Sequence, residues 1–308
     1  MSEINVLYCF DTNFWKLAAV SISSLMQTQR PDTHVTLHCM VAPHTRGRRT
    51  IKKIVTTHGG HLVWHVVKRR ESPYRTYDYS RWSPVIFYRL FAHRAFPNLD
   101  KILYIDSDTL VRDDLSTLYN TNISKYAMGA VRDMAPVEIP NDPNGIYVRE
   151  FQEKYLKNKL YVNSGVLLLN LPKMHENETN LLKVKIPLTY PDQDILNVGL
   201  DGKILELPLK YNFVPEAIKQ NLNKTEYEEA EKHPVIWHFY AAKPYMYEYA
   251  KPDSYSTFYK TATPLGFYPE DFIKNDIKRI QKRRHKTNIP YLRIDKRGHL
   301  RLFGVLRI

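Results

Sequence analysis

The 308-residue sequence predicts an α/β fold in which a mostly parallel, mixed sheet is flanked by helices. Two observations support this prediction. Up to about residue 215, strand-like apolar runs alternate with helical patterns, which is the arrangement that builds such a sheet. In addition, 43% of the residues are hydrophobic, so a chain of this length can bury a sizeable core.

Eight strands are predicted from short apolar runs bounded by polar or turn-forming residues. In chain order they lie near Asn5–Phe10, Val35–Val41, His61–Val67, Lys101–Ile105, Ala127–Val131, Gly165–Leu169, Ile204–Leu207 and Val235–Phe239. Helices are predicted between most of them. One covers Asn13–Gln27, and the first turn of another is set by Pro84, so that Tyr88 and Arg89 point inward. No Gly-rich phosphate loop follows the first strand.

The positive charge of the chain is concentrated at its carboxyl end. The formal net charge is +13, and Phe272–Ile308 contains 12 Lys or Arg against two Asp, which gives +10. The first 271 residues therefore carry only +3. The basicity is a property of this last segment.

This basic segment has patterns of its own. Apolar residues recur at helical spacing at Ile273, Ile277 and Ile280, which predicts an amphipathic basic helix. Beyond Pro290, alternating apolar residues around the turn KRGH predict a terminal hairpin. We therefore expect one α/β domain over residues 1–263 and a basic extension over residues 264–308.

The cysteines and apolar runs bear on the compartment. No run approaches the roughly 18 apolar residues of a membrane-spanning helix, and the first residues do not resemble a secretion signal. Cys9 and Cys39 each lie in an apolar strand-like run, where a free thiol behaves as a small buried hydrophobe. These features favour a reducing, cytoplasmic location for the protein. They also argue against a disulfide framework or a zinc site formed by the two cysteines.

Two aspartates end the fourth predicted strand, in YIDSDTLV at residues 104–111. In an extended segment residues i and i+2 point the same way, so Asp106 and Asp108 are expected to project together, at a strand end where open α/β sheets bind ligands. No Lys or Arg occurs within this stretch, so a cation is expected to relieve their repulsion. Oxygen ligands of this kind suit Mg²⁺ or Mn²⁺. The alternative is a solvated loop in which Asp108 or Asp114 caps the following helix.

Two protein families end a strand with this pattern. LYIDSDTL fits the motif of the haloacid-dehalogenase phosphatases, with Asp106 as nucleophile and Asp108 as acid–base group, but that motif usually opens its domain, whereas about a hundred residues precede it here. The second resemblance spans residues 4 to 245: the sequence resembles the family 8 glycosyltransferases, which include bacterial lipopolysaccharide galactosyl- and glucosyltransferases and glycogenin. In that family the DxD motif, here Asp106-Ser107-Asp108, holds Mn²⁺ against the diphosphate of a UDP-sugar.

The resemblance assigns residues near the nucleotide. VLYCFDTNF resembles the family's first strand and uracil-binding turn, which implies Asp11 and Asn13 near the base and Phe14 stacking on it. FYRLF places Arg89 where the family has a basic residue near the nucleotide. Taken alone, Phe14 would be interpreted as a core residue.

Three further blocks imply the reaction centre. YVNSGVLLLN places Asn163 near the donor sugar, and YPDQDILN places Asp192 and Gln193 beside the anomeric centre. WHFYAAKPY implies that His238 is the third metal ligand and that Lys243 contacts the departing phosphate, although the histidine-to-lysine spacing is five residues where the family has six. Taken singly, DQDILN is also typical of a capped helix, and a histidine like His238 is typical of a core.

The resemblance implies a GT-A-type nucleotide-sugar-binding domain over residues 1–263. It also implies retaining transfer of a hexose, galactose or glucose, from a UDP-sugar to a glycan acceptor hydroxyl, with Mn²⁺ or Mg²⁺ as cofactor. The setting would be lipopolysaccharide or other surface polysaccharide synthesis, with an oligosaccharide or lipid-linked glycan as acceptor. Asp133 would face the acceptor, and the segment that follows it to about Tyr155 would form a lid.

The basic extension suits an anionic membrane surface. We expect it to attach the protein peripherally, through residues 272–308, to the inner face of the cytoplasmic membrane, with no nucleic-acid partner. The non-enzymatic alternative is a basic module that binds membrane or RNA through these residues and carries a vestigial sugar-nucleotide domain.

Overall fold

The computed structural model of the protein describes residues 2–77, 83–134, 143–215, 224–240, 252–268, 272, 292–294, 300–302 and 306–307. Contacts divide the chain into two compact units, Met1–Gly266 and Phe267–Ile308. In the described part of the chain, no helix combines the length and the apolar character needed to cross a bilayer.

The described part of the first unit contains nine strands. They are β1 (Ser2–Phe10), β2 (Thr33–Val41), β3 (His61–Val66), β4 (Lys101–Ile105), β5 (Thr109–Val111), β6 (Met128–Arg132), β7 (Val162–Asn170), β8 (Ile204–Glu206) and β9 (Ile236–His238). All eight predicted strands are present, with ends within three residues of the expected ones. The three-residue strand β5 was not predicted.

Seven of these strands form one sheet in the order β3-β2-β1-β4-β7-β6-β8, while β5 and β9 pair separately and antiparallel. Strand β1 pairs in parallel with β2 and β4, β2 with β3, and β6 with β8. Strand β7 is antiparallel to both of its neighbours, β4 and β6. The predicted mostly parallel, mixed sheet is therefore confirmed.

Helices connect the strands. The α-helices are α1 (Trp15–Thr28), α2 (Arg48–Thr57), α3 (Ala92–Ala95), α4 (Ser116–Tyr119), α5 (Pro143–Tyr155), α6 (Leu171–Glu176), α7 (Glu178–Lys183), α8 (Pro191–Gly199), α9 (Lys224–Lys232) and α10 (Pro252–Ala262). Short 3₁₀ helices cover Arg69–Glu71, Pro84–Phe91, Leu209–Asn212 and Thr263–Leu265. The helix predicted at Pro84 is thus 3₁₀ rather than α, and its Tyr88 and Arg89 are buried as expected.

The central strands are buried on both faces, which explains their continuous apolar sequences. Leu7 of β1, Tyr104 of β4 and Leu167 of β7 are fully buried in one core cluster with Phe87. Because β1 and β4 are parallel, their carboxyl ends lie at the same edge of the sheet. Because β7 runs the opposite way, its amino end lies at that edge too. Three strands thus bring their polar ends to one place.

The second unit contains three short strands, β10 (Leu292–Ile294), β11 (Leu300–Leu302) and β12 (Leu306–Arg307), which pair antiparallel in that order. The first pair flanks the turn KRGH, where the hairpin was predicted. The amphipathic helix predicted from Ile273, Ile277 and Ile280 lies outside the described residues.

Two glycines with positive φ offer a test of the packing beneath α2. Gly47 precedes α2 with φ +83°, and a Cβ atom there would lie 2.1 Å from the Trp15 ring. Gly59 has φ +73°, but a Cβ atom there would meet nothing within 4 Å. We expect Gly59→Ala to lower the free energy of unfolding by about 1 kcal/mol through backbone strain alone. Gly47→Ala should cost about 1–3 kcal/mol more because of the clash. Urea unfolding of both variants measures this difference in the free energy of unfolding. Equal decreases in the two variants would show that Trp15 does not restrict the side chain at position 47.

Candidate active site

Three groups that can bind a cation converge where β4 ends. Asp106 follows β4 directly, Asp108 precedes β5, and His238 is the last residue of β9. The pairing of β5 with β9 sets Thr109 opposite His238, which brings the histidine beside the two aspartates. His238 Nε2 lies 3.3 Å from Asp108 Oδ1 and 3.8 Å from Asp106 Oδ2. One ligand atom from each of the three residues lies within 4.8 Å of the others.

The local conformation differs from the predicted one. The strand stops at Ile105, and residues 107 and 108 form a turn rather than an extended segment. The side chains of Asp106 and Asp108 are 23% and 14% exposed, and that of His238 is 3% exposed, so the pair does not lie in a fully solvated loop. The helix α4 that follows has Leu115 as its N-cap residue, and Asp114 Oδ1 accepts from the Ser116 backbone N–H at 2.9 Å.

A buried arginine holds one side of Asp106. Arg89 Nη2 lies 2.9 Å from Asp106 Oδ1, and the same oxygen accepts a hydrogen bond from the Tyr104 hydroxyl. Arg89 Nη1 donates to the Ser164 carbonyl at 2.8 Å and lies 3.4 Å from Asp192 Oδ2. The stretch YIDSDTLV itself contains no basic residue, and this one comes from the 3₁₀ helix at Pro84. The two carboxylate oxygens of Asp106 are therefore divided, with Oδ1 facing Arg89 and Oδ2 facing His238.

Burial and charge shift the pKa values of this group. Burial acts to lower the pKa of Arg89, but the Asp106 carboxylate, the Tyr104 phenol and Asp192 outweigh it and raise that pKa, so the guanidinium stays charged. Burial raises the pKa of Tyr104 well above its usual range, which keeps its hydroxyl a donor. Burial also raises the pKa of Asp192, although Arg89 opposes this.

Side-chain amides link β7 to His238. The Gly165 backbone N–H donates to Asn163 Oδ1 at 2.9 Å, and Asn163 Nδ2 donates to Asp133 Oδ2 at 3.2 Å. Asn212 Nδ2 donates to the same Asn163 Oδ1 at 2.9 Å, and Asn212 Oδ1 lies 2.8 Å from His238 Nδ1. All these side chains are buried. We call Asn163 and Asn212 the amide relay.

The residues expected beside the anomeric centre lie at the start of α8. Gln193 Oε1 accepts from the Ser164 backbone N–H at 2.9 Å, and its Nε2 donates to Asp133 Oδ2 at 2.9 Å. Asp192 Oδ2 accepts from the Ser164 hydroxyl at 3.1 Å. The first turn of α8 is thus fixed against β7 and the end of β6.

Asp194 has a structural role in that turn. Its Oδ2 accepts from the backbone N–H groups of Thr189 and Tyr190, each at 2.9 Å, and its Oδ1 accepts from the Tyr161 hydroxyl at 2.6 Å. A carboxylate at the amino end of a helix is also favoured by the helix dipole. Asp194 therefore stabilises the helix start that presents Asp192 and Gln193.

The residues expected near a base form the turn after β1. Asp11 Oδ1 accepts from the Asn13 backbone N–H at 2.8 Å, and Asp11 Oδ2 accepts from the Ser83 hydroxyl at 2.8 Å. Asn13 is exposed, and Phe14 is half-buried as the residue that precedes α1. This turn lies at the carboxyl end of β1, the parallel neighbour of β4.

Sequence reasoning missed three groups of the site: Tyr104, Ser164 and Asn212. Tyr104 stands two residues before Asp106, so strand periodicity could have placed both on one face, whereas nothing in LKYNF singles out Asn212. Ser107 is buried, and its hydroxyl makes no hydrogen bond with the described part of the chain. Lys243 lies outside the described residues.

A second group of possible ligands, His93, His175 and Glu178, lies at the opposite end of β7. Here Glu178 Oε1 already pairs with the Arg94 guanidinium and lies 3.3 Å from His93 Nε2. Because arginine neutralises the carboxylate, this group fits a structural ion pair better than a cation site.

The donor set at Asp106, Asp108 and His238 fits a divalent cation. Two carboxylates and one imidazole suit Mn²⁺, and the carboxylates also suit Mg²⁺. The glycine at position 165 is part of this fit, because a Cβ atom there would lie 2.1 Å from His238 Cε1 and 2.5 Å from its Nδ1. His238 can occupy its place only if residue 165 has no side chain.

Comparison with known proteins identifies the family. The model of the family described as Glycosyl transferase family 8 matches residues 5–248. Among curated proteins, a lipopolysaccharide 1,2-glucosyltransferase of Escherichia coli strain K12 is 26% identical over 238 residues, covering 74% of this chain and 67% of that protein. A putative glycosyltransferase of Haemophilus influenzae is 32% identical over 149 residues, covering 46% of this chain and 42% of that protein.

Among solved structures, the galactosyltransferase LgtC in complex with donor and acceptor sugar analogues superimposes with a TM-score of 0.68 at 22% identity, covering 88% of this chain and all of LgtC. The bifunctional glycosyltransferase WbbM also gives a TM-score of 0.68, at 21% identity, covering 85% of this chain and 50% of WbbM. These likenesses confirm the GT-A-type fold. The family match covers the DxD strand and leaves the phosphatase interpretation without support. The chain belongs to glycosyltransferase family 8.

Proposed function

We propose that this glycosyltransferase moves a hexose, galactose or glucose, from a UDP-sugar to a glycan hydroxyl with retention at the anomeric carbon, in a reaction that needs Mn²⁺ or Mg²⁺. The convergence of Asp106, Asp108 and His238 beside the first turn of α8 supports the proposal most directly. The similar lipopolysaccharide glucosyltransferase favours an acceptor in lipopolysaccharide or another surface polysaccharide. An oligosaccharide or lipid-linked glycan would suit this role.

Asp106 Oδ2, Asp108 and His238 Nε2 would hold the cation, which when bound supplies Lewis-acid stabilisation to the leaving diphosphate. Arg89 and Tyr104 fix the Asp106 carboxylate through its other oxygen, so its Oδ2 keeps facing His238. A preorganised site of this kind avoids the cost of reorienting charges during the reaction. Lys243 is proposed as a further contact to the departing phosphate.

Asp192 and Gln193 are proposed to face the donor sugar. An amide is a poor nucleophile, and both polar atoms of Gln193 are held by Ser164 and Asp133. This arrangement favours attack of the acceptor on the same face as the departing diphosphate over a covalent intermediate on Gln193. Asp192 would offset positive charge on the sugar ring.

The remaining contacts complete the substrate assignment. The uracil base would contact Asp11, Asn13 and Phe14 at the end of β1. The donor sugar would contact Asn163. Asp133 would face the acceptor, and the segment from Asp133 to Tyr155, whose second part forms α5, would cover it.

The basic extension is proposed to dock on an anionic membrane surface, which would place the enzyme at the inner face of the cytoplasmic membrane near a lipid-linked acceptor. The supporting observation is its formal charge of +10 over Phe272–Ile308. Clustered Lys and Arg each contribute about 1 kcal/mol of attraction near such a surface.

The metal assignment is tested by Asp106→Asn and Asp108→Asn. Each change removes a charged ligand while keeping the side-chain shape, so we expect Mn²⁺-dependent turnover of a UDP-hexose to fall by about a hundredfold or more. Mn²⁺ should also stop raising the unfolding temperature in the presence of UDP, because a ligand stabilises only the state that binds it. The control is Asp113→Asn, an exposed carboxylate beyond β5. Near wild-type rates in either site variant would refute the metal assignment.

Gly165→Ala tests the packing of His238. The added methyl group would overlap the imidazole, so the ring must move and Mn²⁺ affinity should fall by at least about tenfold. Isothermal titration of Mn²⁺ into the purified variant measures this loss. Gly129→Ala in β6 is the matched control, because a Cβ atom there would approach only the Leu207 side chain, at 3.2–3.3 Å. Unchanged Mn²⁺ affinity in Gly165→Ala would mean that the imidazole does not bind the ion.

Charge reversal in the full-length chain tests membrane docking. Replacing Lys282, Arg283 and Arg284 together with Glu should weaken binding to phosphatidylglycerol-containing vesicles by about a hundredfold or more, given about 1 kcal/mol per lost positive charge. Vesicle co-sedimentation at low and high salt measures the effect. Reversal of two exposed lysines on α2, Lys52 and Lys53, controls for net charge. If both sets weaken binding equally per charge, the extension has no special role.

A further inference from the structure

The amide relay has a fixed orientation at its β7 end. The Gly165 backbone N–H can only donate, so the Asn163 atom that lies 2.9 Å away must be its Oδ1. The other end of that amide, Nδ2, then faces Asp133 Oδ2, a carboxylate oxygen that accepts. Gln193 Nε2 donates to the same Asp133 oxygen, which agrees with its role as an acceptor. Asn163 therefore has only one orientation that satisfies its neighbours.

This orientation determines that of Asn212. The Asn212 atom that lies 2.9 Å from Asn163 Oδ1 must donate, so it is Nδ2. Asn212 Oδ1 is then the atom that lies 2.8 Å from His238 Nδ1. A carbonyl oxygen only accepts, so Nδ1 must carry a hydrogen. The Gly165 backbone N–H thus determines the orientation of both amides, and through them the position of the hydrogen on His238.

The protonation of Nδ1 determines the state of the other ring nitrogen of His238, Nε2. A neutral imidazole has one N–H, and with that hydrogen on Nδ1 the lone pair is on Nε2. Nε2 faces carboxylate oxygens of Asp108 and Asp106 at 3.3 and 3.8 Å. Three electron-pair donors then face one another, an arrangement that a cation between them stabilises.

We infer that Asn212 is a positioning residue, which holds His238 with Nδ1 protonated so that the Nε2 lone pair faces the two aspartates. The inference rests on the proposed function, because it explains how the histidine is kept ready to bind a metal. Outer hydrogen-bond partners of this kind orient metal-binding histidines and strengthen them as ligands. It also gives Asn163 a role as the link between Gly165 and Asn212, beyond any contact to the sugar.

The first test measures the tautomer in the metal-free, full-length protein. Nitrogen-15 NMR of ring-labelled histidine, recorded above the ordinary pKa of histidine, distinguishes protonated from unprotonated ring nitrogens, and a His238→Gln spectrum assigns the signal. We expect Nδ1 protonated and Nε2 unprotonated, although free imidazole side chains in water prefer the opposite. A ring protonated on Nε2, alone or together with Nδ1, would overturn the inference. This result does not depend on metal binding.

The second test measures Mn²⁺ affinity by isothermal titration. Asn212→Ala should weaken binding of Mn²⁺ by about 10–100-fold. Asn212→Asp, which keeps an acceptor opposite Nδ1 but loses the donor to Asn163 Oδ1, should recover part of that loss. The control is Asn177→Ala, which removes another buried amide that bonds the Lys173 carbonyl and Asn180. Asn177 lies between α6 and α7, which follow the carboxyl end of β7, whereas the site lies at the amino end of that strand.

The outcomes are distinct. Unchanged Mn²⁺ affinity in Asn212→Ala, or an equal loss in Asn177→Ala, would overturn the positioning role while leaving the metal site in place. Absence of Mn²⁺ binding by the wild type would instead contradict the proposed metal-dependent function, and the tautomer measurement would still decide the state of His238.

Discussion

The burial of one positive charge organises this site. Arg89 is 5% exposed and is stabilised only because Asp106, Asp192 and the Ser164 carbonyl surround its guanidinium, which also lies over the Tyr104 ring at 4.2 Å. Removal of one partner from such a buried pair leaves an uncompensated charge, so the elements that carry the partners are held together. These elements are the 3₁₀ helix at Pro84, the ends of β4 and β7, and the first turn of α8. The candidate active site is therefore fixed by the same contacts that neutralise the arginine.

Strand direction explains how distant parts of the chain bring their polar groups to one place. Strand β7 is inserted antiparallel between β4 and β6, and the Asp106 backbone N–H donates to the Gly165 carbonyl at 2.8 Å. The polar start of β7, residues 163 to 165, thus meets the polar end of β4. The β5–β9 pair then adds His238 from the other side. Each contribution comes from a strand end, where the backbone leaves the sheet and side chains are free to face a ligand.

The sequence predicted the strands well because their apolar runs are continuous. It indicated Asp106 and Asp108 as a candidate cation site because two aspartates after such a run are unusual. It did not predict which strands pair, since direction and order depend on contacts between distant segments. For the same reason it did not show that Arg89 binds Asp106, or that Asn212 bonds His238 across 26 residues. Asn212 looks like an ordinary loop asparagine in the sequence. Its role becomes visible only when β7, the 3₁₀ helix at Leu209 and β9 are brought together.

The charges of the site give a reason for the neutral amides. Asp106, Asp108, Asp133 and Asp192 with Arg89 carry a formal charge of −3 among the described groups. A nucleotide diphosphate would be repelled by that charge, at about 4 kcal/mol for each close pair of like charges in a partly polar environment. A divalent cation held between Asp106, Asp108 and His238 would offset most of it. Asn163, Asn212 and Gln193 satisfy the buried donors and acceptors around the cation without adding negative charge. A carboxylate at any of these three positions would add to the repulsion, so amides are the side chains that orient the site at the least electrostatic cost.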